Sequence, residues 1–573
     1  MELHGKQEKK TGQQILLALL YILVICIFLG WGLVFHRYPL FNSQGFRWKR
    51  TVERPESTYE PYEASLLSEE VPPSAPPQDY PDPVTRFYTT QRASVFTFSG
   101  LGNQRELSNV LTVLEKTRSR ATFFVTPEEM EAHPAWIEAI SRAGHSLGIS
   151  VVTLEGQSAA QLLDALEAQA DTLRSKYGAD YEIFVRPSYG SGSDELRRAA
   201  FEGGFRLMRE LKEAVPEKVS RMTDAEEIMA TVFNKNEPSL QRGEILHFQM
   251  GLLQHDDGVL GHYIERLVEE KCVYPILPAN ELAEQTEFLY TYPLPEDEIP
   301  DSVKNQIYPG HLAGLTEEEI FEVIRSGYIG NWWVRTDKTL PGFNDEEIHK
   351  LDRIGLIEND QNYVFLTFDD WGTDGTVDRL LHVLEKHGAT ATFFVRSNHV
   401  PGNPNLLRAI AAAGHTIGSH THSHIPLSRE IKPSTFIQLS PSECKALEQD
   451  LVLCYDTLQS IVGDMVDADG KPSLSRIFRQ PTLAVGRNGL ETVFDCGYTY
   501  AVAGYYSTGD YKANSVDELV TALRQNVRSG AIMIMHFSDN AQYTPEAVDQ
   551  FLSKMEYYKT GYRFVGLNKV LSF

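Results

Sequence analysis

The stretch FLTFDDWGTDGT (365–376) reads as a strand ending in two adjacent aspartates, Asp369 and Asp370, and VFTFSGLGNQRE (95–106) repeats it with Ser99 and Gly100 in their place. The likeness runs on along the chain. Adding 270 carries Thr97-Phe98 onto Thr367-Phe368, Val113-Leu114-Glu115-Lys116 onto Val383-Leu384-Glu385-Lys386, Ala121 to Val125 onto Ala391 to Val395, and Ala143-Gly144-His145 onto Ala413-Gly414-His415. An offset of 293 then places Arg186 on Arg479, Phe201 on Phe494 and Gly204 on Gly497, and one of 289 places His247-Phe248 on His536-Phe537. Matches at one ungapped offset imply a tandem duplication, about 92–285 and 360–573.

Within each copy, β-rich runs such as VFLTF, ATATFFV and AIMIMHF alternate with helix-like segments such as DRLLHVLEKHG and PNLLRAIAAAGH. Strand, helix, strand in series predicts an α/β fold with parallel strands, either doubly wound sheets or (β/α) barrels. Both architectures put functional residues where strands give way to loops, as Asp369 and Asp370 do.

At 573 residues the chain has room for two or three domains, and a net charge of −25 argues against a nucleic-acid partner. Ile15 to Phe35 is an uncharged, mostly apolar run of 21 residues, long enough to cross a bilayer as a helix. It is read as an anchor following a cytoplasmic tail (1–14); a cleaved signal peptide, the rival, would have a shorter apolar core. Lysines before the run and arginines after it leave the orientation undecided. Residues 36–91 form a linker, with eight prolines between Pro55 and Pro83. The five cysteines, Cys26, Cys272, Cys444, Cys454 and Cys496, show neither CxxC spacing nor the density of a disulfide framework. Between the copies, 286–359 is expected to be a helical connector or lid: Thr316 and Glu319 form a capping box, and Asn344 caps a second helix that Gly355 would stop. Trp332 and Trp333 within it are a buried aromatic pair or a sugar-stacking surface.

GHTIGSHTHSHIPL (414–427) holds His415, His420, His422 and His424. On a helical turn His420 and His424 would share a face, and imidazoles at that spacing can bind one metal. With an aspartate from another strand they make two histidines and one carboxylate, a ligand set that leaves positions open for water. The second aspartate is then free to act as a base.

The second copy resembles carbohydrate esterase family 4, the NodB-homology polysaccharide deacetylases. The resemblance is carried by Thr367-Phe368-Asp369-Asp370, His420-Thr421-His422-Ser423-His424, Arg479-Gln480-Pro481 and Ile534-Met535-His536, in the family's order. It implies two tandem distorted (β/α) barrels of the NodB, TIM-like type, the first of them degenerate. It also implies roles: Asp369 as general base, Asp370, His420 and His424 as ligands of one divalent metal, and His536 as general acid. Arg479 would hold Asp369 ionised and aimed, and Asp510 is a candidate to tune His536. The Thr482 N–H would face the oxyanion, with Pro481 and Ile534 beside the substrate. The ligand set suits zinc, and also cobalt, manganese, nickel or iron. Trp371 stands where the family usually has Gly, and Thr482-Leu483 where it usually has Tyr-Gly. In the first copy Ser99, Gly100, Ser150 and Leu154 stand at the base and ligand positions, while RPSYG (186–190) and His247 persist. That copy is read as a pseudo-deacetylase that packs against its twin or binds glycan without cutting it.

The resemblance implies a metal-dependent hydrolase of N-acetyl groups on a cell-wall or extracellular amino-sugar polymer, such as peptidoglycan, poly-N-acetylglucosamine or a chitin-like chain. With the anchor, it implies a single-pass bacterial membrane protein whose catalytic domain faces outward. An O-acetyl esterase of the same fold and a non-catalytic glycan-binding scaffold are the alternatives.

Overall fold

The computed structural model describes residues 80–572 apart from 155, 189, 191, 235–236, 255–257 and 332–338. The expected tail, the anchor, most of the linker and the Trp332–Trp333 pair lie outside the described residues. Among the described residues no helix is long and apolar enough to cross a membrane.

The first copy contains β1 (Val95–Ser99), β2 (Thr122–Val125), β3 (Ser146–Val151), β4 (Phe184–Pro187), β5 (Arg206–Leu207), β6 (Lys212–Glu213) and β7 (Ile245–Gln249). They form one parallel sheet in the order β5-β4-β3-β2-β1-β7-β6. Then come β8 (Tyr328–Ile329), β9 (Tyr363–Asp370), β10 (Thr392–Val395), β11 (Thr416–Ser419), a small hairpin of β12 (Arg429–Lys432) and β13 (Thr435–Ile437), β14 (Leu474–Phe478), β15 (Tyr500–Val502), β16 (Tyr506–Ser507), β17 (Ile532–His536) and β18 (Arg563–Phe564). The second sheet runs β16-β17-β9-β10-β11-β14-β15-β8, with β18 also paired to β9.

Strands such as β9, buried along nearly all its length, are apolar on both faces because helices cover one side and the sheet curls around the other. The helix Asp374–Lys386, for instance, turns Val377, Leu380, Leu381 and Leu384 inward. Each sheet is a curled, open half-barrel in which the end strands of neither order pair with one another, so the distortion of the expected barrel takes the form of an open side.

Three further expectations are modified. Val84, Arg86 and Thr89, assigned to the linker, make isolated bridges to Met208, Glu244 and Leu289, and Phe87 is buried, so the end of that segment belongs to the first copy's fold. In the connector, the capping boxes at Thr316–Glu319 and Asn344–Glu347 form. The second helix, however, ends at Lys350, ahead of Gly355. The connector is also no separate lid: it supplies the edge strand β8 and puts Leu294, Ile299, Val303, Ile307 and Phe321 into the core of the second copy.

The copies meet through polar groups. The Asn405 carboxamide accepts from the Thr89 N–H (3.0 Å) and the Tyr290 hydroxyl (2.8 Å) and donates to the carbonyls of Phe87 (2.8 Å) and Arg242 (2.7 Å). Asp374, wholly buried, accepts from the Arg242 N–H (3.1 Å), the Tyr274 hydroxyl (3.0 Å) and Asn403. Asn405→Leu would orphan four buried groups, each costing about 1–3 kcal/mol. We expect it to destabilise the purified protein by about 3 kcal/mol or more in denaturant unfolding; a loss below about 1 kcal/mol would show that these bonds are replaced by water.

Candidate metal and catalytic site

Parallel pairing brings the motifs together. β9 lies between β10 and β17, and Asp369 is in register with Phe394 on one side and His536 on the other. Asp370 takes the left-handed region (φ 82°), which turns the chain away as β9 ends. β11 delivers His420 next to β14, whose end delivers Arg479.

Arg479 is fully buried, and each of its nitrogens is used. Nη1 donates to Asp369 Oδ1 and to Thr367 Oγ1 (both 2.7 Å), Nε to the Val502 carbonyl (3.1 Å) and Nη2 to the Ala503 carbonyl (2.8 Å). The guanidinium lies over the Phe394 ring at 4.1 Å. Burial pushes the Asp369 carboxyl above the usual carboxylate range, against the pull of Arg479 and His536. A base so raised is better matched to taking a proton near neutral pH.

His420 and His424 do not sit on a helical turn as the spacing suggested. They flank a loop in which Thr421 and His424 take positive φ (63° and 64°). The Asp450 carboxylate shapes this loop by accepting the His422 N–H (2.6 Å) and the Ser423 N–H (2.9 Å), and the His422 ring is tied to Ser397 (2.9 Å). His420 Nδ1 pairs with the Arg479 carbonyl (2.9 Å), leaving Nε2 free to coordinate. The Nε2 atoms of His420 and His424 lie 3.7 and 3.6 Å from Asp370 Oδ1. Ligands held by one ion at about 2.0–2.2 Å in tetrahedral geometry stand roughly 3.4 Å apart, so this set fits a divalent metal. Burial pushes the His420 imidazole down to about 3 and His424 down as well, so both rings are neutral, as ligands must be. Among the described residues this is the one cluster of three or more His, Cys, Asp or Glu with that geometry.

At the other wall Asp510, wholly buried, accepts from His536 twice: its Nδ1 pairs with Oδ1 and its N–H donates to Oδ2 (both 2.7 Å), while Thr544 Oγ1 also donates to Oδ2 (2.6 Å). Burial opposes a charge on His536, but the hydrogen bond and charge of Asp510, with Asp369 and Asp370, push it up to about 9.

Asp369, Asp370, His420, His424 and His536 line one cavity of about 400 Å³, together with Thr482 and Ile534. Pro481 is buried and does not line it. Thr482 and Leu483 both have positive φ (59° and 58°), a strained conformation for a β-branched residue, stored on the cavity wall. Sequence reasoning missed several participants. Asp450 shapes the histidine loop; Ser507, Tyr511, Ser538 and Asn540 border the cavity. So does Gln480, wholly buried with neither amide atom paired; a polar residue between Arg479 and Pro481 was the available signal.

The corresponding end of the first sheet holds a cavity of about 330 Å³ lined by Arg186, Glu210, His247 and Gln249 among others. Register corrects the expected equivalence of His247 and His536. Ser99, like Asp369, stands on the central strand, and the residue opposite it on β7 is Gln249; Thr97 faces His247 as Thr367 faces Ile534. Gln249 therefore occupies the place of His536. His247 sits two residues earlier, buried between Thr97 and Ser99 (2.9 Å each). Gly100 keeps the left-handed turn of Asp370 (φ 66°) without its carboxylate, and Leu154 is exposed.

The family description "Polysaccharide deacetylase" matches residues 88–208 and 357–501. Over 226 residues the chain is 26% identical to a peptidoglycan-N-acetylglucosamine deacetylase of Bacillus cereus, covering 38% of this chain and 92% of that protein. It is 28% identical over 178 residues to a chitooligosaccharide deacetylase of Rhizobium leguminosarum bv. trifolii (31% and 73% covered). Over 229 residues it is 25% identical to the peptidoglycan-N-acetylmuramic acid deacetylase PdaA of Bacillus subtilis (39% and 77%). Among solved structures, a family 4 acetyl xylan esterase from Clostridium thermocellum with a cobalt ion is similar at 24% identity and a TM-score of 0.29, over 36% of this chain and 89% of that one. Both matched segments, one in each copy of the repeat, belong to the polysaccharide deacetylase family.

Proposed function

We propose that the second copy is a metal-dependent deacetylase that hydrolyses N-acetyl groups of an amino-sugar polymer, and that the first copy is catalytically silent. The observation that carries this is the convergence, in one cavity, of a ligand trio with two differently supported proton-transfer groups. The relatives are deacetylases by name, two of them of N-acetylated peptidoglycan sugars, which favours an amide of this kind. The uncharged run Ile15 to Phe35 supports attachment to a bacterial membrane, with the polymer outside it.

Asp370, His420 and His424 would hold the metal, with zinc suited to the donors; when bound it lowers the pKa of a water and polarises the acyl carbonyl. The remaining work falls to this chain's residues. Asp369 takes the proton of the attacking water at the oxygen not engaged by Arg479, as water oxygen bonds to the acyl carbon. The Thr482 N–H, presented by its strained turn, donates to the carbonyl oxygen as charge gathers there. His536, charged and held at Nδ1 by Asp510, gives its Nε2 proton to the amine as the C–N bond breaks. Acetate and a free amino sugar leave. In the first copy, Ser99, Gly100, Ser150 and Gln249 offer neither this ligand set nor the acid.

Acetate release from an N-acetylglucosamine oligomer should vanish with chelator, return with added metal, and fall by about 10³-fold or more in Asp369→Asn. Release from an acetyl ester but not from the amide would redirect the reading to esterase chemistry. No release from either by metal-replete protein would refute it.

Because the folded His536 pKa is raised above its ordinary 6.5 to about 9, its contribution to stability is fully present below about pH 6.5 and is lost as pH rises through about 9. Metal-free protein should therefore lose more thermal stability between pH 6 and pH 10 than Asp510→Asn does. Parallel curves for the two proteins would contradict the Asp510–His536 pairing.

A further inference from the structure

A second cavity of about 370 Å³ lies between the two copies. From the second copy it is lined by Trp371, His399, Gly402, Asn403 and Asp539; from the first copy Glu237, Ser239 and Gln241 close it. Its lining and that of the catalytic cavity come from consecutive residues at two points. Trp371 follows Asp370, and Asp539 stands between Ser538 and Asn540, all three neighbours being part of the catalytic lining. A chain whose acetamido group enters the catalytic cavity has this cleft beside it.

We propose that this cleft is a saccharide subsite that binds a neighbouring, uncharged pyranose of the same polymer, and that the silent first copy is retained because it forms one wall. The inference rests on the deacetylase reading for the identity of the polymer. The chemistry of the lining supports a sugar. Trp371 is half-buried against Phe537 (ring centroids 6.0 Å apart), and its backbone is pinned at Gly372, where a Cβ would fall 2.1 Å from the Phe537 carbonyl oxygen. A held indole offers the flat apolar face on which the C–H face of a pyranose packs. Asn403 is 5% exposed, donates its amide to Asp374, and leaves Oδ1 without a partner. A buried acceptor in that state costs free energy until a donor reaches it, and a sugar hydroxyl or acetamido N–H is such a donor. Asp539 accepts from Thr373 and Thr376 through Oδ1, so Oδ2 is available to a hydroxyl. Among the described residues no Lys or Arg lines the cleft, and the carboxylates there, Glu237, Asp374 and Asp539, disfavour a phosphate or carboxylate.

The same arrangement gives the inter-copy hydrogen bonds a second consequence. The Ser239 hydroxyl accepts the Gly375 N–H (3.1 Å), and Asp374 joins Arg242 to Asn403, so the contacts that dock the first copy also fix the cleft's width.

Gly402 provides a test that spares the fold: its φ is not in the left-handed region, and an added Cβ meets nothing within 4 Å. Gly402→Phe should fill the cleft. We expect it to weaken calorimetric binding of an N-acetylglucosamine hexamer to metal-replete protein about tenfold, equivalent to ~1.4 kcal/mol. It should also lower kcat/KM for the hexamer by a similar factor relative to that for a small chromogenic acetyl ester, with Trp371→Ala doing the same. Hexamer binding and hexamer-to-ester preference equal to wild type in both variants would overturn the proposal. Because binding is read without turnover, an inactive wild-type protein would fail the deacetylase reading while the hexamer titration still decides the subsite.

Discussion

The buried ion pair between Arg479 and Asp369 is the constraint around which the second copy is arranged. A guanidinium with no solvent contact must find its partners internally, and each nitrogen does so by drawing Asp369 and Thr367 from β9 and the Val502 and Ala503 carbonyls at the end of β15 into one cluster, with the Phe394 ring of β10 against its face. Its own carbonyl then fixes the His420 ring. Removing one member of such a pair leaves an uncompensated charge, at a cost of about 3–5 kcal/mol. The Asp369 carboxylate, the His420 ring and the packing around β9 are therefore set by one group.

The first copy shows what happens when the pair is dissolved. Ser99 replaces the aspartate, yet Arg186 remains at the Arg479 position and stays nearly buried, so it requires another anion. It finds Glu210, just past β5. By register the second copy has Gly504 there, where a Cβ would crowd Ile532 and Ile534 at 2.9–3.1 Å. The two solutions exclude one another: a carboxylate on the central strand with glycine beside it, or a serine with a glutamate from the flank. The first keeps a carboxylate lining the cavity, and the second consumes the charge in a structural pair.

Much of this was legible in the sequence because the chemistry is local. Asp369 and Asp370 are adjacent, His420 and His424 are four apart, and duplication supplied an internal control that exposed the loss in the first copy. The open half-barrel was not legible, since strand alternation reads the same whether a sheet closes or not. The place of His247 was misjudged for a related reason. Positions 247 and 249 lie on one face of β7, the sequence alone cannot count residues in the preceding loops, and an identical His-Phe pair drew the alignment two residues off. Asp450 and Asn403 were invisible because nothing in their neighbourhoods says which loop or which copy they meet.

Among the described residues the second copy alone offers a metal-ligand set. Elemental analysis of purified protein after dialysis against trace divalent metal tests it directly. One ion per chain in wild type, retained in Arg186→Ala and absent from His420→Ala/His424→Ala, is the predicted result. Two ions per chain, none, or one that survives loss of both histidines would contradict it.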